Sequence, residues 1–237
     1  MFDHVTIRVS DREASERFYE SVLAAIGIGK THSDEQFAEW DDFSLAQGEP
    51  TRRLHVGFVA PTRAQVDAFW EAGIAAGRRS DGEPGPRPQY RHDYYGSFLL
   101  DPDGSSVEAV HHGALRAGGS IDHLWIRVGD LAASKAFYEL VAPHAGFELR
   151  RELPGRVQFS GGNGSFSVVA GTPTERLHVA FPAADDAAVD AFHRAAAAAG
   201  YRDNGPPGER RHYHPGYYAA FVLDPDGSNV ELVSHNR

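Results

Sequence analysis

The chain opens with a segment in which apolar and polar side chains alternate. Val5, Ile7 and Val9 form one face, and the polar residues between them form the other. This period of two predicts a half-buried strand. Residues 10–27 then begin with Asp and Ser, carry apolar side chains at helical spacing and end in Gly, which predicts a helix. Short alternating segments within 37–47 predict further strands, so the unit of structure is β-α-β-β-β.

This unit is repeated along the chain. The segment FDHVTIRV at 2–9 recurs as IDHLWIRV at 121–128, and YYGSFLLDPDGSSVE at 94–108 recurs as YYAAFVLDPDGSNVE at 217–231. Self-similarity on this scale indicates duplicated structural units. The chain is therefore a tandem duplication.

Each half of the chain is doubled again, more faintly. Aligning His4 with His55, or His123 with His178, brings similar strand and helix segments together. The sequence thus predicts an α+β fold of four βαβββ modules, paired into domains 1–113 and 119–237 and joined through a small-residue linker at 111–120.

Two segments rich in Gly, Pro and Arg, at 81–93 and 203–216, predict long loops. Each loop precedes two strands that are joined by the sequence DPDG, a strong turn signal.

Composition narrows the chemistry. The 237 residues carry a net charge of −10 and no cysteine, which excludes disulfides, thiolate metal ligands and a cysteine nucleophile. Without a basic stripe, nucleic acid is not expected as a partner. No stretch is apolar enough to span a membrane, and the N-terminus lacks the pattern of a signal peptide. We expect a cytoplasmic monomer or homodimer whose partner is a small-molecule substrate.

The histidines supply the candidate chemistry. In both halves of the chain, two histidines and one glutamate lie on strand faces opposite the predicted core. Two imidazoles and one carboxylate can hold Fe, Mn, Ni or Zn as a divalent ion and leave positions for water and substrate. The alternative is that these side chains are structural or solvated. The six candidates are His4, His55, Glu108, His123, His178 and Glu231.

Together, the βαβββ module, the DHV and LHV strand openings, the FYE helix and the DPDG-xx-VE strand resemble the vicinal oxygen chelate superfamily, which includes glyoxalase I, extradiol dioxygenases and bleomycin-resistance proteins. The resemblance covers nearly the whole chain and implies half-barrel domains around a metal. It carries the family's ligand set over to His4, His55 and Glu108, and to His123, His178 and Glu231. Whether each site forms within a domain or across exchanged modules stays open.

Departures from the family pattern bear on the reaction. Glyoxalase I has a fourth ligand, a glutamate on the last strand of the first module, but the strands at 43–47 and 166–170 offer no carboxylate. Extradiol dioxygenases have a tyrosine where this chain has Phe98 and Phe221.

Further candidates surround the ligands. One tyrosine of each pair that opens the strand before DPDG is expected to face the cavity, with Tyr95 and Tyr218 as the candidates. His214 is a candidate acid–base residue. Gly57 and Ala180, two residues beyond a ligand histidine, predict room in the cavity.

Two functions fit these observations. The first is a divalent-metal-dependent enzyme, a dioxygenase or a lyase or isomerase, acting on a small oxygenated substrate that chelates the metal. The alternative is a metal-independent binding or resistance protein of the bleomycin-resistance type, which predicts no bound metal.

Overall fold

The computed structural model describes residues 1–113 and 118–236. The chain divides into two compact units. We call Thr6–Trp125 the first unit, and Met1–Val5 together with Ile126–Arg237 the second unit. The predicted domain boundaries at 113 and 119 stay a prediction. The division between the two units falls after residues 5 and 125, inside the strands His4–Val9 and Ile121–Val128. The predicted linker falls partly on residues 114–117, outside the described residues.

The first half of the chain contains two βαβββ modules. The first module consists of β1 (His4–Val9), α1 (Arg12–Ala25), β2 (His32–Ser33), β3 (Phe37–Trp40) and β4 (Phe43–Gln47). The second consists of β5 (Leu54–Val59), α2 (Arg63–Ala75), β6 (Ser80–Pro86), β7 (Tyr95–Leu100) and β8 (Ser106–His111).

The second half repeats this order. The third module consists of β9 (Ile121–Val128), α3 (Leu131–Ala145), β10 (Glu148–Leu153), β11 (Arg156–Gly161) and β12 (Gly164–Ala170). The fourth consists of β13 (His178–Pro182), α4 (Asp186–Ala198), β14 (Asp203–Glu209), β15 (Tyr217–Leu223) and β16 (Asn229–His235). The predicted fold class is confirmed.

The last strand of a module lies beside its first strand. In the first unit, the strands follow the orders β2-β3-β4-β1 and β6-β7-β8-β5, and the beginning of β9 lies next to β5. In the second unit, the orders are β10-β11-β12-β9 and β14-β15-β16-β13, with the beginning of β1 next to β13. The β5–β8 and β13–β16 pairs are parallel. This closure places residues from three strands side by side on one sheet face.

Side-chain caps fix where the helices begin. Asp11, Thr62, Asp130 and Asp185 each accept a hydrogen bond from a backbone N–H in the first turn of the helix that follows. Such caps satisfy donors that have no partner inside the helix. In α1, the buried side chains Phe18, Tyr19, Val22 and Leu23 recur at helical spacing and face the core.

The DPDG turns are built around a buried carboxylate. Asp101 accepts hydrogen bonds from the backbone N–H groups of Asp103 and Ser105 and from the hydroxyl of Tyr19. Gly104 has φ +89°, a left-handed conformation that favours glycine. Asp224 repeats this arrangement in the second unit. The turn fixes the register of the strands on either side of it.

The predicted loops need a correction. Residues 80–86 and 203–209 form the strands β6 and β14. Both lie at the end of their strand order, and their pairing is interrupted at the glycines. Proline is tolerated in such edge strands because its missing N–H is not needed by a neighbour. The sequence signals for a loop were therefore signals for an irregular edge strand.

Among residues 1–113 and 118–236, the structure contains no helix that is long and apolar enough to cross a membrane.

Candidate metal centres

The first candidate centre lies in the first unit, where β5 is paired with β8. Glu108 is opposite Gly57 in this parallel pair, and His55 lies two residues before Gly57. His123 is on the part of β9 that lies next to β5. We call His55, Glu108 and His123 the first triad.

The donor atoms of the first triad converge closely. The Nε2 atom of His55 lies 3.0 Å from Oε2 of Glu108 and 3.2 Å from Nε2 of His123. The third side of this triangle, from Nε2 of His123 to Oε2 of Glu108, is 3.3 Å. Glu108 is almost fully buried, with 1 % of its side chain exposed.

The second candidate centre has the same construction in the second unit and consists of His4, His178 and Glu231, the second triad. Nε2 of His178 lies 2.9 Å from Oε2 of Glu231 and 3.1 Å from Nε2 of His4. The separation between Nε2 of His4 and Oε2 of Glu231 is longer, 3.6 Å. All six candidate ligands therefore fall into these two clusters.

The grouping by domain that the resemblance implied needs a correction, because His4 and His123 are exchanged. The reason is the pairing of the first strands. The N–H of Asp3 donates to the carbonyl of Ala180, and the N–H of Val59 donates to the carbonyl of Ser120, both at 2.9 Å. Each half of the chain thus lends its first histidine to the centre formed by the other half.

The donor triangles fit a divalent ion. Ligand atoms about 2.1 Å from a metal are about 3.0 Å apart in octahedral and about 3.4 Å apart in tetrahedral geometry. The three distances in the first triad and two of the three in the second lie close to these values. Two imidazole nitrogens and one carboxylate oxygen suit Mn, Fe, Ni and Zn.

The outer nitrogens of the imidazoles are held so that Nε2 faces the centre. Nδ1 of His123 lies 2.9 Å from Oδ1 of Asp122, and Nδ1 of His4 lies 2.9 Å from Oδ1 of Asp3. A carboxylate accepts the Nδ1 proton and leaves the lone pair on Nε2 for a cation. Nδ1 of His55 lies 3.1 Å from the hydroxyl of Ser106, which itself donates to Asp81.

Charge on the first triad is balanced by its own members and by Asp122. Burial alone would raise the pKa of Glu108, but hydrogen bonds and charges from His123 and His55 outweigh it and lower the pKa. Burial alone would lower the pKa of His123, whereas its bonds to Asp122 and Glu108 raise the pKa to about 9. A proton therefore competes with a cation for His123 at neutral pH.

The tyrosines beside the triads are Tyr94 and Tyr217, whereas the sequence singled out Tyr95 and Tyr218. Tyr94 donates to Oε1 of Glu108 at 2.7 Å, and Tyr217 donates to Oε1 of Glu231 at 2.6 Å. Burial and the adjacent carboxylate raise the pKa of both phenols.

Tyr95 and Tyr218 instead bond to carboxylates of the helices. Tyr95 donates to Asp67 of α2, and Tyr218 donates to Asp190 of α4. The reason is strand parity. Phe98 is paired with Glu108 across β7 and β8, so Tyr94 shares the face of Glu108, whereas Tyr95 points to the helix side. The face of each tyrosine could be read from the sequence, because the DPDG turn pairs residues at equal distances on its two sides.

His214 lies outside the second triad and is linked to it through two side chains. Nε2 of His214 lies 3.0 Å from Nδ1 of His235, and Nε2 of His235 lies 2.8 Å from Oδ2 of Asp3, the carboxylate that holds His4. An acid–base role for His214 stays a prediction.

In the first unit, His112 takes the position of His235 and is buried. Nε2 of His112 lies 3.0 Å from Oδ2 of Asp122. Its Nδ1 is buried and has no hydrogen-bond partner among the residues that the structure describes. The matching positions of His112 and His235, four residues beyond each glutamate, predicted a place near the cavity mouth or at the surface and no chemical role.

The room expected beside Gly57 is already filled. A Cβ at Gly57 would overlap the imidazole of His123 and would lie 2.6 Å from its Nδ1. Gly57 therefore makes room for a ligand side chain, so the expectation of free cavity space at this position is corrected.

Comparison with known proteins identifies the class. The profile of the Glyoxalase/Bleomycin resistance protein/Dioxygenase superfamily matches residues 1–109 and 120–232. The chain belongs to this superfamily. No curated protein sequence matches it.

Solved structures agree on the fold. A glyoxalase I mutant from Zea mays is 20 % identical, with a TM-score of 0.72 over 99 % of this chain and 92 % of that one. Glyoxalase I from Zea mays is 19 % identical, with a TM-score of 0.66 over 99 % and 92 %. A provisionally assigned dioxygenase from Bacillus subtilis subsp. subtilis str. 168 is 16 % identical, with a TM-score of 0.67 over 100 % and 85 %. At these identities the likeness concerns the fold alone.

Proposed function

We propose that the protein is a divalent-metal-dependent enzyme that acts on a small oxygenated substrate able to chelate the metal. One observation, made in both triads, carries this proposal. In each triad, two imidazole nitrogens and one buried carboxylate oxygen lie within 3.6 Å of one another. A divalent cation bound there would polarise a substrate carbonyl or stabilise negative charge on its oxygen.

The chain's own residues prepare the donors for this task. Asp3 and Asp122 hold the Nδ1 protons of His4 and His123, so that Nε2 is available as a ligand. Tyr94 and Tyr217 donate to one carboxylate oxygen and leave the other to the metal. Three protein ligands leave coordination positions for two substrate oxygens.

The reaction lies within two classes, oxygenation and lyase or isomerase chemistry. Phe98 and Phe221 lie beside the triads, with ring centroids 5.9 Å from His55 and 6.2 Å from His178. They bring no hydroxyl to the place where the extradiol enzymes are expected to have a tyrosine, which weighs against ring cleavage. Oxygen uptake with catechols, compared with isomerisation of hemithioacetals, distinguishes the two classes.

The metal-independent binding protein is the competing function. It requires no ion and gives no reason for two imidazoles to direct Nε2 at each other beside a buried carboxylate. A cytoplasmic location and a monomeric or homodimeric state stay predictions of the sequence.

Metal stoichiometry tests the proposed function. The protein is loaded in turn with Mn(II), Ni(II), Zn(II) and, without oxygen, Fe(II), dialysed, and analysed for bound metal. We expect two ions per chain, one ion in Glu108→Gln or Glu231→Gln, and none in the double variant. Tyr95→Phe with Tyr218→Phe is the control, because these hydroxyls bond to the helices. A metal content that is unchanged in the double glutamate variant would refute the metal-dependent function.

A further inference from the structure

Arg87 is folded back over the sheet instead of extending into solvent. Its guanidinium carbon lies 5.4 Å from the centroid of the Phe98 ring. One of its terminal nitrogens donates to the carbonyl of Glu83 at 2.6 Å, and the other donates to the carbonyl of Pro86 at 3.2 Å. Two backbone carbonyls and one aromatic face therefore fix the position of this cation.

The guanidinium lies on the same sheet face as the first triad. Gly82 is paired with Phe98, and Phe98 is paired with Glu108, so all three point to one face. A Cβ at Gly82 would lie 3.6 Å from one terminal nitrogen of Arg87, and a Cβ at Gly85 would lie 3.0 Å from the other. The two glycines leave the space that the guanidinium occupies.

The separation between this cation and the triad suits a small molecule. Gly85 is paired with Gly96, and a Cβ at Gly96 would lie 2.5 Å from Oε1 of Glu108. Because β6 and β8 are two strands apart, the guanidinium and the carboxylate are about 10 Å apart along the sheet. A substrate of a few carbon atoms can span this distance.

The second unit repeats the arrangement. Arg210 lies over Phe221, with its guanidinium carbon 5.5 Å from the ring centroid, and donates to the carbonyl of Pro206. A Cβ at Gly208 would lie 2.9 Å from Nη1 of Arg210. Phe221 is paired with Glu231, so this cation also shares the face of its triad.

Neither arginine is neutralised. Within residues 1–113 and 118–236, no carboxylate lies within ion-pair distance of Arg87 or Arg210, whereas their loop neighbours Arg91 and Arg211 pair with Asp93 and Glu209. A guanidinium has five N–H donors, and the backbone carbonyls use only one or two of them. The remaining donors match the two oxygens of a carboxylate.

We propose that Arg87 and Arg210 bind a carboxylate group of the substrate, at the end opposite to the oxygens that chelate the metal. This inference rests on the proposed function, because it takes the triads as the place of chelation. It narrows the substrate class to small oxygenated carboxylates. The competing role for these arginines is packing against phenylalanine alone.

Carboxyalkyl hydroxamates test the inference without knowledge of the substrate. The hydroxamate chelates the metal, and the chain length sets the distance to the carboxylate. Zn(II)-loaded protein is titrated calorimetrically with the monohydroxamates of malonate, succinate, glutarate and adipate, and with alkyl hydroxamates of equal length. We expect one or two chain lengths to bind about tenfold more tightly than their alkyl counterparts.

Arginine variants locate the source of this gain. The double variant Arg87→Gln, Arg210→Gln is expected to lose the preference for the carboxylate while still binding alkyl hydroxamates. Arg91→Gln with Arg211→Gln makes the same charge change in the same loops and is expected to keep the preference. Arg87→Lys with Arg210→Lys is expected to retain part of it, because lysine keeps the charge but not the planar geometry.

The outcomes separate the two proposals. Metal-dependent binding of alkyl hydroxamates without any gain from a carboxylate, at all four lengths, would overturn the inference and leave the proposed function standing. A gain that persists in the Arg87→Gln, Arg210→Gln variant would also overturn it. No metal-dependent binding of any hydroxamate would overturn both.

Discussion

The two triads have the same three ligand types, but the backbone beside them differs. The first triad is flanked by Gly57 and Gly96, which leave space for His123 and Glu108. The matching positions beside the second triad are Ala180 and Ala219, which are buried. His4 is 26 % exposed and lies 3.6 Å from its glutamate, whereas His123 is 12 % exposed and lies 3.3 Å away. Two methyl groups therefore accompany a looser and more accessible centre.

The side chains that contact Asp122 and Asp3, the carboxylates behind the ligand histidines, differ as well. The carboxylate that holds His123 is bonded to His112, which is buried, whereas the carboxylate that holds His4 is bonded to His235 and through it to His214. His235 is exposed and His214 is half-buried. Duplication has thus preserved the ligands while their connection to solvent has changed. We expect the first centre to bind metal more tightly and the second to exchange it faster.

The largest effect is expected from Gly57→Ala. The added Cβ would overlap the imidazole of His123, which must leave its place beside Glu108 and His55. We expect the metal affinity of the first centre to fall about a hundredfold, with the second centre unchanged. Competition with a chelator, monitored by bound metal per chain, measures both affinities.

Ala180→Gly is the matched control, because it removes a methyl group and adds no clash. Its metal affinities are expected to stay within about threefold of the original protein. Equal losses in Gly57→Ala and Ala180→Gly would contradict the role given to the glycine.

The next effect concerns the carboxylates behind the histidines. Asp122→Asn and Asp3→Asn each replace a proton-accepting oxygen beside Nδ1 of a ligand. We expect each to weaken only its own centre by about ten- to a hundredfold. Isothermal titration with Zn(II) resolves the two classes of site. A loss at the other centre would show that His4 and His123 are grouped differently from the structure.

Asp101 and Asp224, the buried carboxylates of the DPDG turns, have similar surroundings in the two units. We therefore expect similar effects of pH on stability from both. Burial raises the pKa of Asp101 and of Asp224 to about 6, above the ordinary value of 3.8. The folded state therefore binds more protons, and the stability from each carboxyl is complete below about pH 4 and lost as pH rises through 6.

Asp101→Asn removes this titration, and Asp224→Asn does the same in the second unit. Between pH 4 and pH 7 we expect each variant to gain about 2 kcal/mol in unfolding free energy relative to the original protein. Urea unfolding at both pH values measures the gain. A pH-independent difference would show that the carboxyls are ionised throughout.

The smallest effect is expected from Tyr94→Phe and Tyr217→Phe. Each leaves one oxygen of a buried glutamate without its hydroxyl donor. Without this donor the carboxylate is less firmly oriented towards the metal position, so we expect a loss of about tenfold in metal affinity. Tyr95→Phe and Tyr218→Phe are the controls and should leave the affinity unchanged.

Much of the fold follows from local patterns. Alternation, helix caps and the DPDG turn are short-range signals. The same signals recur in both halves of the chain, so each half supports the elements predicted for the other. The edge strands β6 and β14 were not predicted, because Gly and Pro dominate their sequences. Their strand conformation depends on pairing with a neighbouring strand.

The six candidate ligands could be chosen from strand faces, but their grouping could not. His4 and His55 begin equivalent strands, and so do His123 and His178, so the repeats allow two pairings. Contacts between distant strands decide between them. The position of Tyr94 beside the first triad could have been predicted from the sequence, because the pairing around the DPDG turn places Tyr94 on the face of Glu108.

Anomalous X-ray diffraction from crystals of the Zn(II)-loaded protein tests the central claim most directly. We predict two zinc peaks per chain, one within about 2.4 Å of His55, Glu108 and His123, the other equally close to His4, His178 and Glu231. The absence of zinc from both triads, or a peak that joins His4 to His55 and Glu108, would contradict the account.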